Sequence, residues 1–376
     1  MAIYYAYGDA LVTEEELREK EVVGDIEKFS KEIQLGRYES LIDFSTGKLT
    51  AKNLISLVDL PSGETVPFEP IGLGVPLTIQ IRHIYTGKYP EKSVFDSTKD
   101  MLVTSAMKSI AIFNAAPRAV NFLQQNVKKY SNISNPAATE QGTPLVHYTP
   151  ALTEKNTILT LEIGFDEFPD DVFNVFGEAF NQAASIPLFV SASTYLLAAG
   201  SITKLLGEIG SCLFDSQPKF KATEPLSFEY PGNIIPKADF RIITEQNFPL
   251  DVLKAYKCST TGLVDSNGQL YNGEYPYIII SLDGRVNDEY KDFRPTAASA
   301  VQLERFYKIR EGGDQRLGPI LEGLKLYNDF EFRIRAEKIS KEMEALDKTS
   351  KVYADKKKEY DAQIANILND ILKPKS

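Results

Sequence analysis

Few side chains in this sequence could act as a nucleophile or as a base at neutral pH. There are two histidines, His83 and His147, and two cysteines, Cys212 and Cys258. A cysteine or serine nucleophile is activated by an adjacent base, and histidine is the usual one. Cys258 lies in KAYKCSTTG, which matches no local nucleophile signature. A hydrolase with a dispersed site near Cys258 and His147 is therefore kept only as an alternative.

Local motifs do not identify a ligand site either. The sequence contains no HExxH, GxSxG or GxxxxGK[ST] motif, and its cysteines are not spaced as CxxC. The acidic run GFDEFPDD at 164–171 does not fit a calcium loop and is typical of a strand end followed by a helix cap. The glycine-rich stretches at 72–76 and 310–318 are expected to be turns. The sequence thus assigns no catalytic, cofactor-binding or metal-ligating residue.

The overall charge excludes one large class of partners. The net charge is -10 and the sequence pI is about 5.0, which opposes binding to phosphate backbones, so no nucleic acid is expected as a partner. Hydrophobic residues make up 43% and charged residues 25%, as in soluble globular proteins. The first residues lack the basic and apolar regions of a secretory signal, and the cysteines suggest no disulfide scaffold. We therefore expect a soluble, cytoplasmic protein.

Alternation of apolar and polar residues predicts a β-rich core. Strands are expected at 75–86, 101–113, 157–164, 225–230, 238–245 and 275–284. Helices are expected at 13–35 and in PRAVNFLQQNVKKYS, where Pro117 would occupy the first turn. The mixed charges after the last strand, including Asp283 and Arg285, are expected to form a solvated loop with local ion pairs.

These elements predict an α+β fold with three parts. The core is antiparallel, β-rich and sandwich-like, carries a helical hairpin insertion, and is followed by one long amphipathic helix or a helical hairpin. The predicted boundaries are an N-terminal helical segment at 1–36, the core at 37–315 and the helical tail at 316–376. The insertion covers 170–214. A split of the core into two modules near 131–156, in a Pro- and Thr-rich stretch, is an alternative.

An apolar island at 186–214 reads IPLFVSASTYLLAAGSITKLLGEIGSCLF and contains two charges, Lys204 and Glu208. Its apolar residues recur at steps of four and three beside a row of small residues, which favours a helix packed against the core. The alternative is conditional insertion into a membrane. The candidate insertion residues are Leu188, Tyr195, Ala199, Ile202, Leu206 and Ile209.

The tail carries a heptad stripe over about six heptads. Ser350 and Lys357 interrupt the stripe, so a break near DKTSK is expected. Such a stripe predicts pairing with a partner helix or with a second copy of the chain. The candidate interaction residues are Ile339, Met343, Leu346, Tyr353, Tyr360, Ile364, Ile367 and Ile371.

The favoured function is therefore a non-enzymatic interaction or assembly protein that uses the C-terminal heptad helix to bind a partner or itself. The first alternative is a membrane-perturbing effector held soluble until cleavage or partner binding. The second is the hydrolase near Cys258 and His147. The sequence names no cofactor for any of them.

Overall fold

Antiparallel sheets and a few helices make up the fold, so the α+β class predicted from the sequence is confirmed. The computed structural model describes residues 2–7, 10–13, 71–90, 98–109, 118–134, 142–168, 170, 173, 188–189, 219–228, 238–245, 247–259, 262–287, 290 and 318–374. The strands are β1 (Ala2–Tyr7), β2 (Ala10–Thr13), β3 (Leu77–Tyr85), β4 (Thr98–Ser109), β5 (Arg118–Lys128), β6 (Asn132–Ser134), β7 (Leu145–Thr149), β8 (Asn156–Asp166), β9 (Leu188–Phe189), β10 (Phe220–Ser227), β11 (Ala238–Thr244), β12 (Lys257–Ser259), β13 (Gly262–Val264) and β14 (Tyr277–Asp283). The helices are α1 (Leu250–Lys254), α2 (Gly318–Glu344) and α3 (Lys351–Ala365), followed by a 3₁₀ turn at Asp370–Leu372.

Within the described ranges the strands form three sheets. The largest has seven strands in the order β2-β1-β11-β14-β3-β6, and β7 also pairs with β3. The second has five strands in the order β10-β8-β4-β5-β9, and β12 pairs with β13 as a small separate hairpin. Every strand pair is antiparallel. The strands β3 and β14 lie side by side in the middle of the large sheet.

One hydrophobic cluster joins the two larger sheets. Alternate residues of β8 and β14 contribute to it, as period-two geometry requires. The large sheet supplies residues that include Ile79, Ile81, Ile84, Ile243, Ile278, Ile280 and Leu282. The five-stranded sheet supplies residues that include Met101, Val103, Phe122, Leu159, Leu161, Ile163 and Phe220. Burial of each such side chain contributes roughly 1.5–3 kcal/mol relative to exposure, so this cluster is the main source of stability.

A bulge in β3 changes which residues share a face of the sheet. Ile280 pairs with Ile81, and Ile279 pairs with His83, so Arg82 is the extra residue. Ile81 and Ile84 both belong to the shared core. Arg82 and His83 therefore both point away from that core, although they are adjacent in sequence.

The helix predicted from Pro117 is wrong, because Arg118–Lys128 forms strand β5. Its apolar residues do recur at helical spacing in the sequence. The pairing of β4 with β5 contains two register shifts, between Lys99 and Met101 and between Val103 and Thr104. Each shift disturbs the period-two pattern, so a strand with bulges imitates a helix in a periodicity test.

Other short strands were also missed. Leu188, predicted to lie on the helical island, is in β9 and pairs with Val120, so the helix does not begin there. The stretch at 131–156 contains β6 and β7, which both pair with β3. The first thirteen residues contribute β1 and β2 to the large sheet, whereas residues 14–35, predicted as a helix, lie outside the described ranges.

The C-terminal segment forms two helices rather than one. The chain turns at 345–350, where Asp347 accepts a hydrogen bond from the backbone N–H of Thr349, and Ser350 caps α3 by accepting from Tyr353 N–H. A break near DKTSK is therefore confirmed. The helices contact each other, and Lys356 of α3 forms an ion pair of 2.8 Å with Glu342 of α2.

A buried asparagine attaches this segment to the β-rich part of the chain. Asn366 is 2% exposed and its Oδ1 accepts a hydrogen bond from Thr149 Oγ1 at 2.9 Å. Its Nδ2 donates to the carbonyls of Ala151 and Ala362. Because a buried amide left without these partners would cost about 1–3 kcal/mol, Asn366 specifies this docking.

If one core serves both sheets, truncations on either sheet should destabilise the same cooperative unit. We expect Ile81→Ala and Leu161→Ala each to lower the free energy of unfolding by about 2–5 kcal/mol, because both side chains are fully buried. Urea unfolding followed by circular dichroism measures the effect. Val286→Ala, at a site that is 71% exposed, is the control and should change it by less than about 0.5 kcal/mol. Separate unfolding transitions for the two sheets in either variant would contradict a shared core.

Candidate functional site

His83 lies in a buried polar and aromatic cluster on the face of β3 that points away from the core. Its Nε2 is 3.1 Å from Asn132 Oδ1 and 3.3 Å from the Tyr277 hydroxyl. Since the amide oxygen can only accept, the imidazole carries its proton on Nε2 and donates to Asn132. The Tyr277 ring stacks on the imidazole with centroids 5.4 Å apart. The Tyr277 hydroxyl in turn accepts a hydrogen bond from Leu263 N–H at 2.9 Å.

The β12–β13 hairpin closes over this cluster and brings Cys258 to it. Gly262 fits against the cluster with φ +125°, and a Cβ there would lie 2.7 Å from the Tyr277 hydroxyl and 2.8 Å from His83 Nε2. Cys258 is a free, buried thiol, and its ionised form would raise the pKa of Tyr277. The structure therefore brings His83 and Cys258 to the same tyrosine. His147 instead lies on β7 beside Ile79.

The electrostatics of the cluster keep its groups neutral. Burial lowers the pKa of His83 from its ordinary value of 6.5 to about 4, and the hydrogen bond to Asn132 opposes part of that shift. Burial raises the pKa of the Cys258 thiol to about 12. It also raises the pKa of Tyr277 well above its usual range. Because the thiolate is the reactive form of cysteine, a protonated, buried Cys258 has the character of a structural residue rather than a nucleophile.

Tyrosines extend this cluster towards α1. The ring of Tyr85 stacks on Tyr277, and its hydroxyl donates to the carbonyl of Gly273 at 2.8 Å. Tyr271 contacts the rings of both Tyr85 and Tyr277 edge-on. Edge-to-face pairs of this kind add about 0.5–1.5 kcal/mol each beyond burial. The cluster thus rigidifies the attachment of the β12–β13 hairpin. Within the described part of the chain, no three His, Cys, Asp or Glu side chains are grouped so that they could ligate a metal ion.

Comparisons with protein families, curated proteins and solved structures found no match. None of the described helices has the length and apolarity that a membrane crossing requires. Of the candidate insertion residues, Leu188 lies in β9, and Tyr195, Ala199, Ile202, Leu206 and Ile209 lie outside the described residues.

The candidate interaction stripe is for the most part half-buried. Ile339 and Met343 of α2, Leu346 of the turn that follows, and Tyr353, Tyr360 and Ile364 of α3 are all in this intermediate class. Further along, Ile367 is 2% exposed, whereas Ile371 is 86% exposed. Contacts between α2 and α3 and the docking near Asn366 use part of the stripe within the chain itself.

A second face of α2 exposes large apolar side chains. Leu326, Phe330 and Ile334 are 42%, 51% and 47% exposed. Their spacing of four residues places them along one side of the helix, rotated by about 120° from the stripe that contains Ala336. We call these three residues the apolar row. Sequence reasoning missed it because the heptad stripe was the stronger periodic signal, although the four-residue spacing was visible.

The 3₁₀ turn at the end of the chain attaches beside the apolar row. Asp329, which is 3% exposed, accepts hydrogen bonds from the backbone N–H groups of Leu368 and Asn369 at 3.1 and 2.8 Å. Leu368 is 45% exposed. Of the ten large hydrophobic side chains that are exposed among the described residues, six lie in 318–374. Among the described residues, the C-terminal segment at 318–374 therefore carries the most concentrated exposed apolar surface.

The neutral state of His83 predicts an acid-sensitive fold. The folded pKa of about 4 lies below the ordinary 6.5, so the stabilisation is complete above pH 6.5 and is lost as the pH falls towards 4, by about 3 kcal/mol in all. We expect His83→Gln, whose amide can still donate to Asn132, to reduce by about that amount the loss of unfolding free energy between pH 7 and pH 4. Urea unfolding at both pH values measures it.

His147→Gln is the matched control, since it removes the other histidine and leaves His83 in place. It should keep the wild-type pH dependence. An identical pH dependence in the His83→Gln variant and the wild type would show that His83 is not held neutral by the fold.

Proposed function

We propose that this protein is a non-enzymatic assembly protein whose C-terminal helices join two copies of the chain. The apolar row of α2 forms the centre of the contact. The heptad stripe lies on another side of α2 and supports the pairing of α2 with α3. The observation that carries the proposal is the exposure of Leu326, Phe330 and Ile334 on one side of a helix. Apolar rows at this spacing are the usual anchors of helix-to-helix recognition.

The distribution of charge supports a second copy as the occupant. Residues 318–376 contain 12 basic and 11 acidic side chains, a charge of +1, so residues 1–317 contain 30 basic and 41 acidic side chains, a charge of -11. Two copies of an acidic chain repel each other. The helical tail is nearly neutral. A contact between two tails therefore causes less repulsion than a contact between two acidic parts would.

Charged residues beside the apolar row also suit a helix of the same kind. Arg333 and Glu337 form an ion pair of 2.8 Å on the exposed surface of α2. Such a pair places one positive and one negative charge at the edge of the row. When two identical surfaces meet there, neither sign of charge is in large excess at the contact. Contacts of this type add selectivity more than affinity.

We also propose a sandwich-like arrangement for the β-rich part. We infer that the two larger sheets pack face to face, because residues of both contribute to one buried cluster. The docking of Asn366 next to β7 then fixes the helices at one end of that arrangement. A cytoplasmic location remains part of the proposal and is supported by the free thiol of Cys258.

Charge placed in the apolar row should separate the copies. We expect the wild-type chain to have a mass near twice 42.0 kDa in light scattering after size-exclusion chromatography. Phe330→Asp should weaken the association at least about tenfold and give monomers, because a buried carboxylate would then face apolar side chains. Circular dichroism should show an unchanged fold, since Phe330 is half-exposed in one copy.

Val352→Asp is the matched control. Val352 is 57% exposed on α3 and does not belong to the apolar row, so this variant should keep the wild-type mass. A wild-type chain that is monomeric at all accessible concentrations would overturn the proposal. Equal masses for the Phe330→Asp variant and the wild type would exclude the apolar row as the contact.

A further inference from the structure

Two arginines and an aspartate lie together on the face of the large sheet that points away from the core. Ile280 and Leu282 of β14 belong to the shared core. Because side chains alternate along a strand, Ser281 and Asp283 face the opposite side of the sheet. The bulge in β3 places Arg82 on that same side. We call Arg82, Ser281, Asp283, Arg285 and Tyr290 the arginine cluster. The expectation of a solvated loop is wrong for Asp283, which is the last residue of β14 and is 5% exposed.

Arg82 is incompletely paired within the described part of the chain. Its Nε donates to Ser281 Oγ at 2.6 Å, and this is the one hydrogen bond of its guanidinium to a described residue. The two terminal nitrogens, Nη1 and Nη2, therefore have no described acceptor. A guanidinium has five N–H donors in a planar fork, so four of them have no acceptor among the described residues. Arg82 is only partly accessible to solvent.

The nearby carboxylate is already used by the other arginine. Asp283 Oδ2 accepts from Arg285 Nε at 2.6 Å, and Asp283 Oδ1 accepts from the Arg285 backbone N–H at 3.1 Å. Among the described residues, the cluster contains two guanidinium groups and one carboxylate, which is one positive charge more than negative.

Burial makes that excess charge costly without a further anion. It lowers the pKa of Arg82 to about 10, an effect that the charge of Asp283 partly opposes. Burial also raises the pKa of Asp283 above its usual range, and Arg285 opposes this shift. Both directions show that the cluster is desolvated, where an added negative charge interacts more strongly than it would in water.

We propose that the arginine cluster binds a small oxyanion, a phosphate or a carboxylate group, through the terminal nitrogens of Arg82. The planar fork suits the paired oxygens of either group, and charge-assisted hydrogen bonds of this geometry are the strong ones. Ser281 accepts from Arg82 Nε, so its hydroxyl proton can be donated to the same anion. This site lies on the β-rich part of the chain and does not depend on the self-association proposed above.

Calorimetric titration of the full chain tests the proposal. Inorganic phosphate and acetate are titrated separately, with sodium chloride added to keep the ionic strength equal. Differences between the titrations then do not arise from screening of charges by salt. We expect one anion per chain, bound by the wild type. Arg82→Gln should weaken binding at least about tenfold, and Arg82→Lys should also weaken it, because lysine keeps the charge but loses the fork. Arg333→Gln, which removes an exposed arginine of α2, is the control and should bind as the wild type does.

The two anions distinguish the source of the oxyanion. Binding of phosphate without acetate assigns the site to phosphate groups, and binding of acetate assigns it to carboxylates. No saturable binding of either anion would overturn the proposal, and so would equal affinities in the Arg82→Lys variant and the wild type. If Arg82→Gln does not fold, as judged by circular dichroism, the Arg82→Lys variant decides the outcome.

Discussion

A bulge in β3 leaves Arg82 without a pairing partner in β14. The polar clusters of the β-rich part depend on this bulge. In a regular strand Arg82 and His83 would face opposite sides of the sheet. Because the extra residue shifts the register between Ile279 and Ile280, both face away from the core, while Ile81 and Ile84 stay within it. One local irregularity thus supplies a buried imidazole to Tyr277 and a buried guanidinium to Ser281. Deletion of the extra residue would turn every side chain on one side of it to the wrong face.

The two polar clusters that result are chemically opposite. Around His83 the partners are neutral: Asn132 accepts from the imidazole, and Tyr277 accepts from the backbone of Leu263. All of its groups are neutral, so burial among tyrosines stabilises it. Around Arg82 the described residues supply one carboxylate for two guanidinium groups, and Asp283 is paired with Arg285. A neutral network specifies a rigid structure, whereas the charged one is the basis of the proposed oxyanion site.

The sequence predicts the regular parts of this fold and fails where the regularity is broken. β8 alternates cleanly and β14 contains a continuous apolar run, so their existence and type were evident. β3 was also predicted as a strand, but its bulge was not. β5 was mistaken for a helix because two register shifts in its pairing with β4 alter the spacing of Val120, Leu123 and Val127. The clusters could not be predicted at all, because the contact of His83 with Tyr277 joins residues 194 positions apart. Local propensity carries no information on such pairings.

Apolar side chains of α2 remain exposed next to a C-terminal segment that is fixed by its own hydrogen bonds. Asn366 and Asp329 hold that segment in place, and the apolar row is exposed beside it. Hydrogen exchange at a low and a high protein concentration tests whether two copies meet through this row, because a contact between copies slows local opening only when the copies are associated. We expect slower exchange at 326–337 at the higher concentration and unchanged exchange at 351–356. Equal exchange at 326–337 at both concentrations, with the protein monomeric in each, would contradict it.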